Sequence, residues 1–118
     1  MSKYVNTADQ IWDIAKVEGV KMDRCVLWDG QHQVFSGFFR MPAGMHLPLH
    51  LHGKWVQILV LNGKMKVELK GAEPRTIEPG GYYFVEPGEA HAETAVEDTL
   101  LLVVAQIGEH ERAALIMP

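Results

Sequence analysis

The sequence has a single cysteine, no excess of basic residues and no long apolar run, and each shortage excludes a class of protein. With Cys25 alone among 118 residues, no intrachain disulfide can form, which is compatible with a reducing compartment. Eleven Lys and Arg against fifteen Asp and Glu give a formal charge of −4, without the basic stripe that nucleic-acid binding requires. The longest apolar runs, Ile58–Leu61 and Leu100–Ala105, are far too short to span a bilayer. We therefore expect neither nucleic acid nor a membrane as a partner.

The size and composition are those of one globular domain. Apolar residues make up 47% of the chain and charged residues 22%, so residues 1–118 are expected to fold as a single domain. The first ten residues lack the apolar run of roughly 7–15 residues that a signal peptide contains. We expect a cytoplasmic protein.

Two segments have a helical pattern. Thr7 is a suitable N-cap, apolar residues recur at helical spacing as far as Ala15, and Gly19 is a suitable end for the helix. A short N-terminal helix is therefore predicted. The tail over Glu109–Leu115 shows a second helical period.

Most of the chain between these segments has the pattern of short strands separated by Gly and Pro. Such close spacing favours an all-β sandwich or barrel over a βαβ fold. Asn62-Gly63, between two strand-like runs, predicts a hairpin. The predicted strands are Cys25–Trp28, Gln33–Met41, Trp55–Leu61, Lys64–Lys70, Arg75–Ile77, Tyr82–Glu86, His91–Val96 and Thr99–Ile107.

Two of the predicted strands are apolar on both faces. Ile58–Leu61 and Leu100–Ala105 contain no polar residue at either parity. Because one face of a strand in a small barrel fills the interior, an apolar outer face needs a cover of its own. A second copy of the chain is the simplest cover, so we predict a homodimer.

Four of the six histidines fall in two segments bounded by Gly and Pro, 44–63 and 80–91. Residues two apart on a strand share a face, so His50 and His52 can both point into a barrel. Gln57 on the following strand and His91 on a distant one are suited to complete the cluster. Imidazole is the commonest side-chain metal ligand and suits zinc, copper, iron and nickel. Three or four ligands with open positions describe a reactive metal site.

The first of these segments resembles the first motif of the cupin family. That motif runs Gly, five residues, His-x-His, three or four residues, Glu, six residues, Gly. Gly44, His50 and His52 match it, with Gln57 at the Glu place and Gly63 one residue early.

The second segment resembles the second cupin motif, in which Gly and five residues precede Pro-x-Gly-x-x-His. Gly80, Gly88 and His91 match, while Glu86 stands where the family usually has Pro. The resemblance implies a small antiparallel β-barrel or jelly roll with a core of about residues 25–107. It also implies one divalent metal, held by the residues His50, His52, Gln57 and His91.

Glutamine at the Glu place alters the charge of the implied site. Three neutral histidines and a carboxylate leave a divalent ion with a net charge of about +1, whereas Gln57 leaves it at about +2. The higher charge favours an anionic or bidentate oxygen ligand and lowers the pKa of a bound water. The neutral amide is, however, the poorer metal ligand.

Four further residues are candidates for the pocket. Glu93 shares strand parity with His91, so it can face the metal as a general base, or meet solvent at the rim if the strand bulges. Trp55 can wall a pocket or pack in the core. His46 belongs either to the barrel mouth or to the metal's surroundings. Tyr83 and its neighbour open a strand, so one of the two side chains should face inwards.

These features favour a metal-dependent monocupin enzyme that acts on a small oxygen-rich or anionic molecule. Iron would fit dioxygenase-like chemistry, whereas zinc, nickel or manganese would fit isomerisation or cyclisation. The alternative is a non-catalytic module that binds metal or a small ligand as a sensor. A barrel that has lost its metal is disfavoured by the intact His50, His52 and His91.

Overall fold

A computed structural model describes residues 2–108, and its long elements are β-strands. The helical elements within this part of the chain are two 3-10 turns, Thr7–Asp9 and Gln31–Gln33. No helix among residues 2–108 is long and apolar enough to cross a membrane. In chain order the strands are β1 (Asp13–Val17), β2 (Val20–Asp29), β3 (Val34–Met41), β4 (His46–His50), β5 (Val56–Asn62), β6 (Met65–Leu69), β7 (Arg75–Ile77), β8 (Tyr82–Val85), β9 (His91–Ala95) and β10 (Thr99–Gln106).

The strands form two antiparallel sheets that share one core. The larger sheet has the order β1-β2-β3-β10-β5-β8, and the smaller has the order β4-β9-β6-β7. Inward side chains alternate with outward ones, as in β3, where Phe35, Phe39 and Met41 are buried. They meet buried residues of the smaller sheet such as Met65 and Val67. The predicted all-β fold, a small antiparallel barrel or jelly roll, is confirmed.

The predicted N-terminal helix is wrong apart from the single turn Thr7–Asp9. The apolar residues at helical spacing do not share a buried face, because Ile11 is 82% exposed whereas Ala15 is buried in β1. Glu18 and Gly19 instead connect β1 to β2, with φ angles of 49° and 81°. Two positive φ angles are the geometry of a type I′ turn, whose twist suits a tight hairpin. Gly19 therefore closes a hairpin and does not end a helix.

The predicted hairpin at Asn62-Gly63 is also wrong. β5 pairs with β8 and β10 in the larger sheet, while β6 pairs with β7 and β9 in the smaller one. The turn therefore carries the chain from one sheet to the other. Gly63 has a φ of 85°, and a Cβ there would lie 2.3 Å from the Asp98 carbonyl oxygen. Glycine at this corner is required both by its conformation and by the close backbone approach.

The other predicted strands have counterparts in the structure, and β2 begins five residues earlier than predicted. Two strands were not predicted, β1 and β4. The predicted helix at Glu109–Leu115 lies outside the described residues.

Candidate metal centre

Three histidines converge at one end of the core. His50 ends β4, His52 follows two residues later, and His91 opens β9. One ring nitrogen of each lies within 4.8 Å of those of the other two. The ring centroids are 4.3 Å apart for His50 and His91, 5.0 Å for His50 and His52, and 5.3 Å for His52 and His91. Three imidazoles at this separation can be brought onto a single metal ion by small side-chain movements.

A β-bulge in β4 explains why His50 faces inwards. Leu47 pairs with Glu93 and His50 pairs with His91, so one extra residue of β4 lies between the two pairs. Leu47 is buried, and the side chain of His50 is only 5% exposed. On a regular strand, residues three apart would point to opposite faces. The bulge corrects the parity and aims His50 at His91.

His91 is buried completely, and neither of its ring nitrogens has a hydrogen-bond partner. An unpartnered buried polar group costs roughly 1–3 kcal/mol, so such groups are rare in native structures. Burial, followed by the nearby rings of His50 and His52, lowers the pKa of His91 to about 4. The ring is therefore neutral at pH 7, with a lone pair available. A metal ion in the cluster would supply the missing partner, so the three residues fit a metal.

The surroundings of the other two histidines also suit metal binding. Nδ1 of His50 donates to the Pro48 carbonyl oxygen at 2.6 Å, which fixes the tautomer and leaves the Nε2 lone pair free. Burial, then the proximity of His50, lowers the pKa of His52, which favours the neutral form that can bind a metal.

Glu93 lies inside the barrel beside the histidines, as its parity with His91 predicts. It is 3% exposed, and its Oε1 lies 3.4 Å from His91 Nδ1 and 3.7 Å from His50 Nε2. Tyr83 donates its hydroxyl hydrogen to Glu93 Oε2 across the two sheets. Burial raises the pKa of Glu93, although Tyr83 and His50 oppose the shift. The pKa of Tyr83 is raised well above its usual range by burial and then by Glu93, so the phenol stays a donor.

Gln57 does not reach this cluster, which corrects its prediction as a ligand. Burial along β5 alternates, with Val56 and Ile58 buried in the core and Gln57 on the opposite face. Gln57 pairs with Phe84, which is exposed, whereas Ile58 pairs with the inward Tyr83. The β5 residues that line the cavity beside the histidines are Val56 and Ile58, of which Val56 is the nearer to His52 in sequence.

The motif spacing contained a signal for this correction. Three residues separate Val56 from His52, and six separate it from Gly63. Val56 therefore satisfies the first cupin motif in full, while Gln57 leaves Gly63 one residue early. The match of Val56 to the Glu position was missed because valine has no atom that can bind a metal.

Two of the three predicted pocket residues lie elsewhere. Trp55 stacks on the exposed ring of Phe84, with centroids 5.7 Å apart, on the outer side of the sheet. His46 is exposed, and its Nδ1 is 2.8 Å from Thr94 Oγ1. Only Tyr83 faces the site, through its hydrogen bond to Glu93.

A cavity of about 90 Å³ opens beside His50 and His52. No Lys or Arg is among its lining residues, and its polar lining is restricted to His50, His52 and Glu93. The rest of the lining is apolar: Val17, Met22, Phe39, Met41, Leu47, Val56, Ile58, Leu101 and Val103. A larger groove of about 500 Å³, lined by Arg40 and Asp98 among others, includes none of the three histidines. The smaller cavity is therefore the one that adjoins the histidine cluster.

Several solved structures share this fold at low sequence identity. A predicted oxalate decarboxylase from Thermotoga maritima has a TM-score of 0.78 at 18% identity, covering 90% of this chain and 100% of that one. KdgF from Halomonas sp. has a TM-score of 0.76 at 20% identity, covering 92% and 98%. The polyketide cyclase RemF from Streptomyces resistomycificus has a TM-score of 0.74 at 22% identity, covering 92% and 81%. At these identities the likeness establishes the fold alone.

At the level of sequence, no curated protein matches the chain significantly. A family model does match, over residues 1–108, and it describes a ChrR cupin-like domain. That match spans nearly the whole chain and includes the barrel and all three histidines. The chain therefore belongs to the ChrR cupin-like domain family of cupins.

Proposed function

We propose that this protein is a metal-dependent monocupin enzyme acting on a small oxygen-rich or anionic molecule. His50, His52 and His91 would hold one divalent ion, namely iron, zinc, nickel or manganese. The observation that carries the proposal is His91, which is fully buried with both ring nitrogens unpartnered and the imidazoles of His50 and His52 facing it.

The lining of the cavity determines how such a molecule would bind. The lining contains no cationic side chain, and apolar groups make up most of it. Oxygen atoms of a substrate would therefore be directed to the metal, and its carbon part would pack on side chains such as Val56 and Ile58. The volume of about 90 Å³ is small beside the roughly 300–1,000 Å³ of most ligand pockets, which favours a small molecule.

When bound, the metal would supply Lewis acidity or, in the case of iron, redox chemistry. The chain's own contribution is positioning and proton handling. The apolar lining excludes water, and the Glu93 carboxyl faces the cavity, where it can either accept a proton from a bound molecule or bind the metal itself. These properties suit dioxygenase-like as well as isomerase- or cyclase-like reactions.

Elemental analysis of untagged protein tests the proposal. We expect near-stoichiometric metal in the wild type and a loss of metal in His91→Ala. His46→Ala and Gln57→Ala are matched controls, because His46 is exposed and Gln57 faces outwards, and both should retain the metal. A wild type that stays metal-free after reconstitution with all four metals would contradict the site.

Activity is tested separately from metal binding. The metal identified by elemental analysis selects the substrate panel, either oxygen uptake for iron or isomerisation and cyclisation for the other three. Turnover that disappears in His52→Ala supports the enzyme. A stoichiometric metal without turnover on either panel would favour the non-catalytic sensor instead.

A further inference from the structure

The cavity holds a carboxylate that the motif spacing does not account for. Cupin motif spacing places an acid on β5, where this chain has Val56, yet Glu93 on β9 reaches the same cluster of histidines. We propose that Glu93 Oε1 is the fourth protein ligand of the metal, replacing from β9 the carboxylate that β5 lacks. This inference rests on the proposed metal site.

The distances are those of atoms that share one ion. Ligand atoms about 2.1 Å from a metal, at angles between 90° and 109°, lie roughly 3.0–3.4 Å from one another. Glu93 Oε1 is 3.4 Å from His91 Nδ1 and 3.7 Å from His50 Nε2. Movements of a few tenths of an ångström would bring Glu93 Oε1 and His50 Nε2 onto one ion, and His91 has two unpartnered ring nitrogens with which to join them.

The orientation of His50 identifies the metal side of the carboxylate. Because Nδ1 of His50 is bound to the Pro48 carbonyl, Nε2 is the nitrogen left for a metal. Glu93 Oε1 lies near that nitrogen, on the side where the ion would sit. A carboxylate that acted only by orienting a histidine would contact the nitrogen facing away from the ion.

Tyr83 fixes the carboxylate in this direction. Its hydroxyl binds Oε2, which leaves Oε1 turned to the histidines. Tyr83 comes from β8 of the larger sheet and Glu93 from β9 of the smaller one, so the contact joins the two sheets. Among residues 2–108, the groups within ion-pair distance of Glu93 are the imidazoles of His50 and His91, so a divalent ion would be the cation that balances the buried carboxylate.

Cobalt(II) provides the test, since its visible absorption reports coordination independently of activity. Metal-free wild type, Glu93→Gln and Glu73→Gln are titrated with Co²⁺, and the last is a matched control because Glu73 is exposed. We expect wild type and Glu73→Gln to bind with the same affinity and spectrum. Glu93→Gln should bind at least about tenfold more weakly, with changed d–d bands.

Two results would overturn the inference. One is a Glu93→Gln variant that retains the wild-type affinity and spectrum. The other is weaker binding with unchanged d–d bands, which would place Glu93 outside the coordination sphere as an orienting group. If Glu93→Gln does not fold, Tyr83→Phe takes its place. This variant retains the Glu93 carboxylate but removes the hydrogen bond that orients it, so we expect altered d–d bands in Tyr83→Phe as well. A wild type that binds no cobalt would instead refute the metal site itself.

Discussion

His91 shows how a single buried side chain can make the stability of the folded protein depend on pH. Its ring lies in the interior without a hydrogen bond, and its pKa is lowered to about 4 by burial and by two neighbouring imidazoles. In the unfolded chain the same ring titrates near 6.5. Between these pH values the unfolded state binds a proton that the folded state does not.

We therefore predict that the metal-free protein loses stability as the pH falls from about 6.5 to 4. The stabilisation is fully present above pH 6.5, and its loss is complete only below the folded pKa. The loss through His91 is at most about 3 kcal/mol. Urea unfolding of chelator-treated protein between pH 7 and 4 measures it, with His91→Gln as the comparison. The variant should show a shallower decline, and parallel curves for the two proteins would contradict the assignment.

At the same scale, the sequence was sufficient for some site residues and insufficient for others. His50, His52 and His91 come from motif positions, and the inward direction of Glu93 follows from its parity with His91. Gln57 was misplaced because the motif allows two spacings and an amide is the more plausible ligand than valine. The contact between Tyr83 and Glu93 could not be predicted, because it joins strands from different sheets.

At the scale of elements, the bulge in β4 determines which residues face the candidate metal site. Leu47 and His50 are three apart but both point inwards, with Pro48 and Leu49 exposed between them. Strand alternation alone cannot reveal such an insertion, and β4 was not predicted as a strand. β1 was missed for a related reason, since its apolar residues coincide with a helical spacing over a short window.

The bulge leads to a paired prediction about two deletions. Removing Leu49 leaves one residue between Leu47 and His50, so a regular strand still directs His50 inwards, and metal binding should persist. Removing Leu51 places His52 directly after His50 and turns the two rings apart, so metal affinity should fall at least about tenfold. Both leucines are more than half exposed, so neither deletion removes a core side chain.

Isothermal titration of the two deletion variants with Zn²⁺ checks this prediction, with circular dichroism to establish that both fold. One result would contradict it: a Leu49 deletion that loses zinc binding as severely as the Leu51 deletion. The bulge itself would then be needed to hold His50 in place, and restoring the strand parity would not be enough.

At the scale of the whole molecule, the sequence was most informative about fold class. Glycines and prolines mark the strand boundaries, and the close spacing of the short strands between them was enough to predict an all-β barrel. It was less informative about which strands pair. Asn62-Gly63 has the local chemistry of a hairpin, yet β5 and β6 belong to different sheets, and Gly63 passes against the Asp98 backbone at the corner between them. Pairing of that kind depends on contacts far apart in sequence.

The outer face of the larger sheet is apolar along one row of paired residues. Leu102 on β10 is flanked by Phe38 on β3 and Leu59 on β5, and Leu59 pairs in turn with Tyr82 on β8. Tyr82 is 59% exposed, and the other three are partly exposed. Trp12 stacks on Phe38 at 6.4 Å and extends the row. A continuous apolar row across four strands is typical of a surface that packs against another molecule.

We predict that two copies of the chain associate through this face, which is the homodimer expected from the sequence. A stable interface needs roughly 800 Å² from each partner, and a sheet face of four strands can provide that area. Light scattering after size exclusion at micromolar concentration should give twice the mass of 13.2 kDa.

Leu59→Lys should give a monomer, because a lysine in the middle of the row would be buried without a partner. Val96→Lys is the matched control, since Val96 follows β9 of the smaller sheet and is 52% exposed. Monomer mass for the wild type would sink the prediction, and a dimer that survives Leu59→Lys would place the interface elsewhere.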